Sequence, residues 1–237
     1  MRNNTIDLND LTIIVPTRNE AQNIPVFLSS IPKNILVIMI DASDDKTCEI
    51  ARRIRPSKLL IYRSLEHIAG ARHLGAQLAS TSWLLFTDAD VNFDRNYFSK
   101  LNNLPFASAY YGPKLSQGEY KNYYKRIAVW QEISQKVGIP AVSGSNFIVN
   151  REAYFNSGGF ATELTVNEDS ELGWRLPQKG YEISFINNLI VYSHDHRRLN
   201  KGTTRKTIHS LIRCMFLYLN ILPKAWKMSD WGYWSSS

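Results

Sequence analysis

Short apolar runs alternate with polar turns along the first part of the chain, and their spacing predicts strands and helices in regular succession. Leu11-Thr12-Ile13-Ile14-Val15 is a β-branched run stopped by Pro16. Asn19 or Asn23 is placed to cap a following helix that carries Val26, Phe27 and Leu28. Ile35 to Ile40 reads as a second buried strand, and Cys48, Ile50, Ala51 and Ile54 mark the helix beyond it. A third strand falls at Leu59-Leu60-Ile61-Tyr62. Ile68 to Ala79, with Ala69, Ala76 and Leu78 among its small residues, predicts a closely packed helix leading into the strand Trp83-Leu84-Leu85-Phe86. Alternation of this kind argues for an α/β fold with a mostly parallel central sheet and a Rossmann-like, nucleotide-binding half.

Beyond Asp90 the pattern loosens. It predicts a helix near Tyr97 to Leu101, a short strand near Ala107 to Tyr111 and a longer helix from Tyr120 to Val137. Val142 to Val149 reads as a glycine-containing turn entering a strand, Gly158-Gly159-Phe160 as a tight loop, and Ile190-Val191-Tyr192 as a last strand. The expected organisation is a single domain over 1–202, with a nucleotide-binding half at about 11–90 and an acceptor-binding half at about 91–202. Residues 203–237 follow as an amphipathic helix and aromatic tail. In that helix Ile208, Leu211, Ile212, Met215, Phe216 and Leu219 recur at helical spacing, ringed by Arg205, Lys206, Arg213, Lys224 and Lys227 and followed by Trp226, Trp231 and Trp234. Such a stripe fits a membrane surface, the domain's own core or a second subunit.

With 237 residues, 44% of them hydrophobic, the chain has ample material for one packed core. Its 28 Lys and Arg against 21 Asp and Glu give a formal charge of +7, which favours an anionic partner: a nucleotide, a phospholipid surface or nucleic acid. Nucleic acid is disfavoured, because no basic stripe is interleaved with aromatic residues. Cys48 and Cys214 lie far apart in sequence and outside any metal spacing, so both are expected as reduced thiols. Met1 to Asp10 is polar and no apolar run is long enough to span a bilayer. The expectation is a cytoplasmic protein that touches the inner face of the membrane only peripherally.

The chemistry begins at Asp88-Ala89-Asp90, where the run ending at Phe86 delivers two carboxylates to a strand end. Two acids so close repel each other unless a cation lies between them, and a hard divalent ion that also grips phosphates resolves the repulsion. An acidic strand-to-loop turn is the plain alternative. Asp41 ends the second strand where a nucleotide crossing the sheet edge would present its base or ribose, while Ser43 or Asp44 is placed to cap the next helix. Arg72, alone among small residues at a helix start, suits a diphosphate or else a salt bridge. Glu168 and Asp169 open a helix carrying Leu172 and Leu176, as acids that complement a helix dipole or as groups acting on a sugar hydroxyl. After Tyr192, His194 offers a further metal ligand and Arg197 or Arg198 a phosphate clamp, unless the cluster is only surface charge.

In this order the segments resemble the family 2 glycosyltransferases of the GT-A fold over roughly residues 11 to 198. Thr12 to Glu20 is similar to the opening strand and loop of that family, which implies nucleotide contacts for Pro16, Thr17, Arg18 and Glu20. Asp41 to Thr47 is similar to its D-G-S-T-D-G-T turn, with Ile40 where a second Asp is common. Ala71-Arg72-His73-Leu74-Gly75 resembles A-R-N-x-G with His73 in place of Asn, and Asp88-Ala89-Asp90 resembles the D-x-D that shares a metal between Asp88, Asp90 and the donor. Gly144, in its turn, and Glu168 are expected beside the phosphates or the acceptor. Gly158-Gly159-Phe160 and Glu168-Asp169 look like the G-G-F and E-D motifs, which implies Asp169 as the base.

The resemblance implies an inverting transfer of sugar from a UDP- or GDP-linked donor to a sugar, lipid or glycan acceptor, with Mn2+ or Mg2+ as cofactor. Two rivals stand beside it. A nucleotidyltransferase of related fold would open on a glycine- and arginine-rich phosphate loop where this chain has Pro16-Thr17-Arg18-Asn19. A non-catalytic, basic membrane-binding module would be expected to have lost the D-x-D or the E-D pair, and both are intact.

Overall fold

Ile13 and Val15 pack into one hydrophobic cluster and Ile14 into another, and all three are fully buried. This is the period-two alternation of a strand covered on both faces. The computed structural model describes residues 3–194, 203–219 and 221–227. In it the chain runs β1 (Asn3–Asn4), β2 (Leu11–Thr17), α1 (Ile24–Ser29), β3 (Leu36–Asp41), α2 (Thr47–Ile54), β4 (Leu59–Arg63), α3 (Ile68–Leu78), β5 (Trp83–Thr87) and β6 (Val91–Phe93). It continues as β7 (Leu104–Pro105), β8 (Ala109–Tyr111), β9 (Lys114–Leu115), α4 (Lys121–Lys136), β10 (Asn146–Asn150), α5 (Arg151–Asn156) and α6 (Glu168–Gln178). Then come β11 (Ile183–Phe185), β12 (Val191–Ser193), α7 (Thr203–Tyr218) and α8 (Lys224–Lys227).

The main sheet has seven strands in the order β11-β8-β10-β5-β2-β3-β4. β5, β2, β3 and β4 are mutually parallel, as the alternating pattern predicts, and β10 runs antiparallel to both β5 and β8. On one face lie α1, α2 and the Phe93 to Leu101 segment; on the other lie α3, α5 and α6. The small residues of α3 let it approach β2 closely: a Cβ at Gly75 would sit 2.4 Å from Ile14 Cγ2. A three-stranded sheet, β6-β12-β9, stands beside the main one.

Three local expectations change. β2 runs through Pro16 to Thr17, because β5 pairs with it only from Leu11 to Ile14 and the proline falls where one side of the strand is an edge. The predicted helix near Tyr97 to Leu101 is a 3-10 turn at Phe98–Asn102. Neither Ser43 nor Asp44 caps α2, which starts at Thr47 behind Lys46, and Asn23 sits at the α1 N-cap but sends its side-chain amide to Glu20.

α7 packs on α6. Arg213 is buried and donates to the carbonyls of Trp226 and Lys227, Asn167 Nδ2 donates to Cys214 Sγ at 3.3 Å, and the Tyr218 ring meets Trp174 edge-on at 5.2 Å. Of the apolar stripe expected here, Leu211, Ile212, Met215 and Leu219 are 41 to 56% exposed and turn away from the domain. The side chains of Arg205, Lys206, Ile208 and Lys224, and all of Trp231 and Trp234, lie outside the described residues. Among the described residues no helix is long and apolar enough to cross a membrane.

Candidate active site

Parallel strands β2, β3 and β5 all end at one edge of the sheet, so their carboxyl-terminal residues converge there. The antiparallel β10 begins at that same edge, with Asn146 opposite Thr87. This register brings Ser145 to Asp88, and its Oγ donates to Asp88 Oδ2 at 2.5 Å. Gly144 precedes it, and its N–H donates to Asp169 Oδ2 at 2.7 Å, tying the β10 turn to the start of α6. The E-D pair and the D-x-D pair, 80 residues apart in the chain, are thus joined by two residues of one turn.

Arg72 braces this assembly from beneath. It reaches up from α3, donates from Nη2 to Asp88 Oδ1 at 2.6 Å and from Nη1 to Glu168 Oε1, and is 2% exposed. Burial opposes its charge, but the carboxylates of Asp88, Glu168 and Asp169 more than offset that and hold the guanidinium above its ordinary pKa. Both terminal nitrogens donate to carboxylates, as in the salt-bridge alternative expected from the sequence, and Arg72 fixes their positions. Gly144 has to be glycine for the same reason, since a Cβ there would lie 2.2 Å from Arg72 Nη1. Glu168 is nearly fully buried, and burial together with the adjacent Asp169 pushes its pKa up to about 7 against the pull of Arg72. Asp169 is half-buried; its Oδ1 accepts from Ser170 N at 2.7 Å.

Lys114, unremarked in the sequence, completes the cluster. Its Nζ lies 3.2 and 3.3 Å from the two oxygens of Asp90, 3.8 Å from Asp88 Oδ2 and 3.5 Å from Ser145 Oγ. His194 N donates to Asp90 O at 2.9 Å, while its exposed side chain joins no metal-binding group of three His, Cys, Asp or Glu residues among those described. Arg197 and Arg198 lie outside the described residues. Counted as ionised, the four carboxylates of Asp88, Asp90, Glu168 and Asp169 face two cations, Arg72 and Lys114, and two negative charges remain. Hard oxygen donors with that excess fit Mn2+ or Mg2+, ions that proteins commonly hold by one or two carboxylates with substrate phosphates supplying the rest.

At the end of β3 the arrangement is different. Asp41 is fully buried and accepts from Thr17 Oγ1 at 2.7 Å, Ser43 Oγ at 2.6 Å, Ser43 N at 3.1 Å and Arg63 Nη1 at 2.9 Å. Burial alone would raise its pKa; hydrogen bonds from Ser43, Cys48 and Thr17 reverse that and hold it below the usual carboxylate value. Pro16 and Thr17, expected as nucleotide contacts, are likewise buried, whereas Arg18 is exposed and Glu20 half-buried. The loops after β2 and β3 are stapled together through Asn19 N to Ser43 Oγ and Asp44 N to Asn19 Oδ1, both 2.9 Å. Arg63, which sequence reasoning passed over, is 56% exposed at this rim. Sequence alone carried no signal for Lys114, Ser145 or Arg63, since each sits on a strand or turn whose partner is remote in the chain.

Residues 12–155 match the family described as Glycosyl transferase family 2. The chain belongs to this family. Among curated glycosyltransferases, the pre-mycofactocin glycosyltransferase of Mycobacterium tuberculosis is 24% identical over 219 residues, covering 84% of this chain and 46% of that protein. The 4,4'-diaponeurosporenoate glycosyltransferase of Staphylococcus haemolyticus is 26% identical over 148 residues, 57% of this chain and 38% of that protein. This family 2 chain thus spans less than half the length of either relative. Among solved structures, mannosyltransferase PcManGT from Pyrobaculum calidifontis, in complex with GDP-Man and Mn2+, superposes with a TM-score of 0.68 at 21% identity, covering 96% of this chain and 70% of that one. S. aureus TarS 1-349 in complex with UDP-GlcNAc gives 0.61 at 17% identity over 92% and 69%. The shared architecture is the GT-A fold.

Proposed function

We propose that this family 2 chain transfers a sugar from a nucleotide-sugar donor to an acceptor hydroxyl, with inversion at the anomeric carbon, in the synthesis of a glycan or glycolipid. The observation that carries the reading is the excess of carboxylates over cations at the carboxyl end of β5, where Asp88, Asp90, Glu168 and Asp169 meet Arg72 and Lys114 within one hydrogen-bonded turn. Asp88 and Asp90 would hold Mn2+ or Mg2+, which supplies positive charge for the donor diphosphate. Neighbouring structures carrying GDP-Man with Mn2+ and UDP-GlcNAc support donors of this class. The nucleotidyltransferase alternative has no support in the family match.

Each side chain then has a task. Arg72 holds Asp88 and Glu168 in place, so the metal-facing oxygens need not reorganise when charge develops. Asp169 accepts the proton of the acceptor hydroxyl as the new glycosidic bond forms; it is half-buried and reachable, whereas Glu168 is sealed against Arg72. Arg18, Glu20 and Arg63 ring the nucleoside end of the edge around the buried Asp41. Calorimetry with UDP and GDP tests the donor reading: affinity should depend on Mn2+ and collapse in Asp90→Ala. Equal affinity with chelator present would remove it.

A membrane-surface acceptor is favoured by the outward apolar face of α7. The first turn of α4 touches α7 through Thr207 Oγ1 and Tyr123 OH at 3.4 Å, and farther along α4 Val129, Trp130 and Ile133 are also exposed. We read residues 203–227 as an appended helical segment that presents this face to anionic lipid without crossing the bilayer. Flotation with anionic vesicles should show salt-sensitive binding that disappears when the chain is cut after Gly202 and the remainder stays folded.

A further inference from the structure

Lys114 is held where a divalent ion would compete with it. It opens β9, whose place is fixed by pairing with β12, and the residue before it accepts Val191 N at Pro113 O, 3.1 Å. From that anchor the ammonium reaches across to the D-x-D pair. A charge-assisted N–H to carboxylate bond is typically about 2.7 to 2.9 Å. Its distances here are longer: Nζ stands 3.2 and 3.3 Å from the two oxygens of Asp90, 3.5 Å from Ser145 Oγ and 3.8 Å from Asp88 Oδ2. Lys114 thus sits among the same hard oxygen donors that a divalent ion would use. Its side chain is 17% exposed, so the contact is partly shielded from solvent.

We infer that Lys114 is an internal counter-ion of the D-x-D pair, which a divalent metal must displace, and that it thereby sets how tightly the protein holds metal before the donor arrives. The inference rests on the reading of Asp88 and Asp90 as the metal site. With Lys114 in place the repulsion between the two aspartates is relieved without metal, so metal gains less on binding. Once phosphate oxygens add to the donor set, the balance moves toward the divalent ion. Lys114 on this account acts on metal affinity by competing for the same carboxylates.

The experiment measures Mn2+ affinity directly, by titration calorimetry and by the fall of the free Mn2+ signal in electron paramagnetic resonance, with no nucleotide or acceptor present. Lys114→Met removes the charge while keeping most of the stem, and should tighten Mn2+ binding at least about tenfold, or 1.4 kcal/mol. Lys114→Arg keeps the charge and should stay near the parental affinity. Thermal unfolding in chelator, followed by addition of Mn2+, should show a larger metal-induced rise for Lys114→Met than for the parent. Unchanged or weaker Mn2+ binding by Lys114→Met, while Asp90→Ala loses it, would overturn the inference and leave the metal site standing. Parental Mn2+ binding by Asp90→Ala would instead overturn the metal site, and the inference with it.

Discussion

The carboxyl ends of β3 and β5 are made by one sequence device, an apolar run that delivers an aspartate to the sheet edge, yet they finish in opposite electrostatic states. Asp41 is fully buried and satisfied by two hydroxyls, a backbone N–H and one guanidinium. Asp88 and Asp90 keep about a fifth of their side-chain surface exposed and share their two cations with Glu168 and Asp169. One end is closed and organises the nucleotide-side loops from within; the other keeps charge in reserve for a ligand. An aspartate at a strand end therefore takes its electrostatic state from its neighbours.

The sharpest way to break this contrast is to remove an aspartate from each end. Asp41→Ala should lower the unfolding free energy by about 3 kcal/mol, because Thr17 and Ser43 lose a charged acceptor in a dry setting. Asp90→Ala, whose ion pair is partly solvated, should cost under about 1 kcal/mol. Urea denaturation in chelator measures both. Nucleotide binding should show the reverse order, with Mn2+-dependent affinity lost in Asp90→Ala. An Asp41→Ala protein that unfolds at the parental urea concentration but no longer binds UDP or GDP would make Asp41 a ligand contact after all.

Next in size is the separation of binding from turnover at the open end. Asp169→Asn preserves the shape of the carboxylate and can still accept from Gly144 N–H, giving up the bond from Ser170 N–H at the other position; the D-x-D pair is untouched, so donor affinity should stay near parental. Transfer should fall by at least about a hundredfold, the scale of a lost general base. Parental turnover in that variant would reduce Asp169 to a helix-terminus acid and pass the role to Glu168.

The smallest effect concerns His73, on α3, with Nδ1 2.9 Å from the Tyr154 hydroxyl. Burial lowers its pKa below 6.5 in the folded protein. The unfolded chain consequently binds more protons as pH falls, so stability is fully present above pH 6.5 and declines as pH drops through 6.5 toward the folded value. Replacing His73 with Asn, the residue of the family's A-R-N-x-G pattern, should flatten that decline in urea midpoints taken between pH 7 and 5. A parental slope in the variant would show that the proton is taken up elsewhere.

Local sequence determined the parallel half of this fold and the order of its motifs. Period two in Ile13, Ile14 and Val15, and small residues along Ile68 to Ala79, are properties that a strand buried on two faces and a close-packed helix require wherever they occur. The strand-end position of Asp41, Asp88 and Asp90 follows from the same pattern. What each carboxylate does was left to the tertiary structure, because electrostatic state depends on partners that the chain order does not list. Asp41 is met by Arg63, 22 residues on, and Asp88 by Arg72, Ser145 and, at longer range, Lys114. Asp169 is oriented by Gly144 through an antiparallel strand, β10, whose register sets where the turn falls. Periodicity fixes which way a side chain faces; only the packed sheet decides which charges meet there and how much water remains between them.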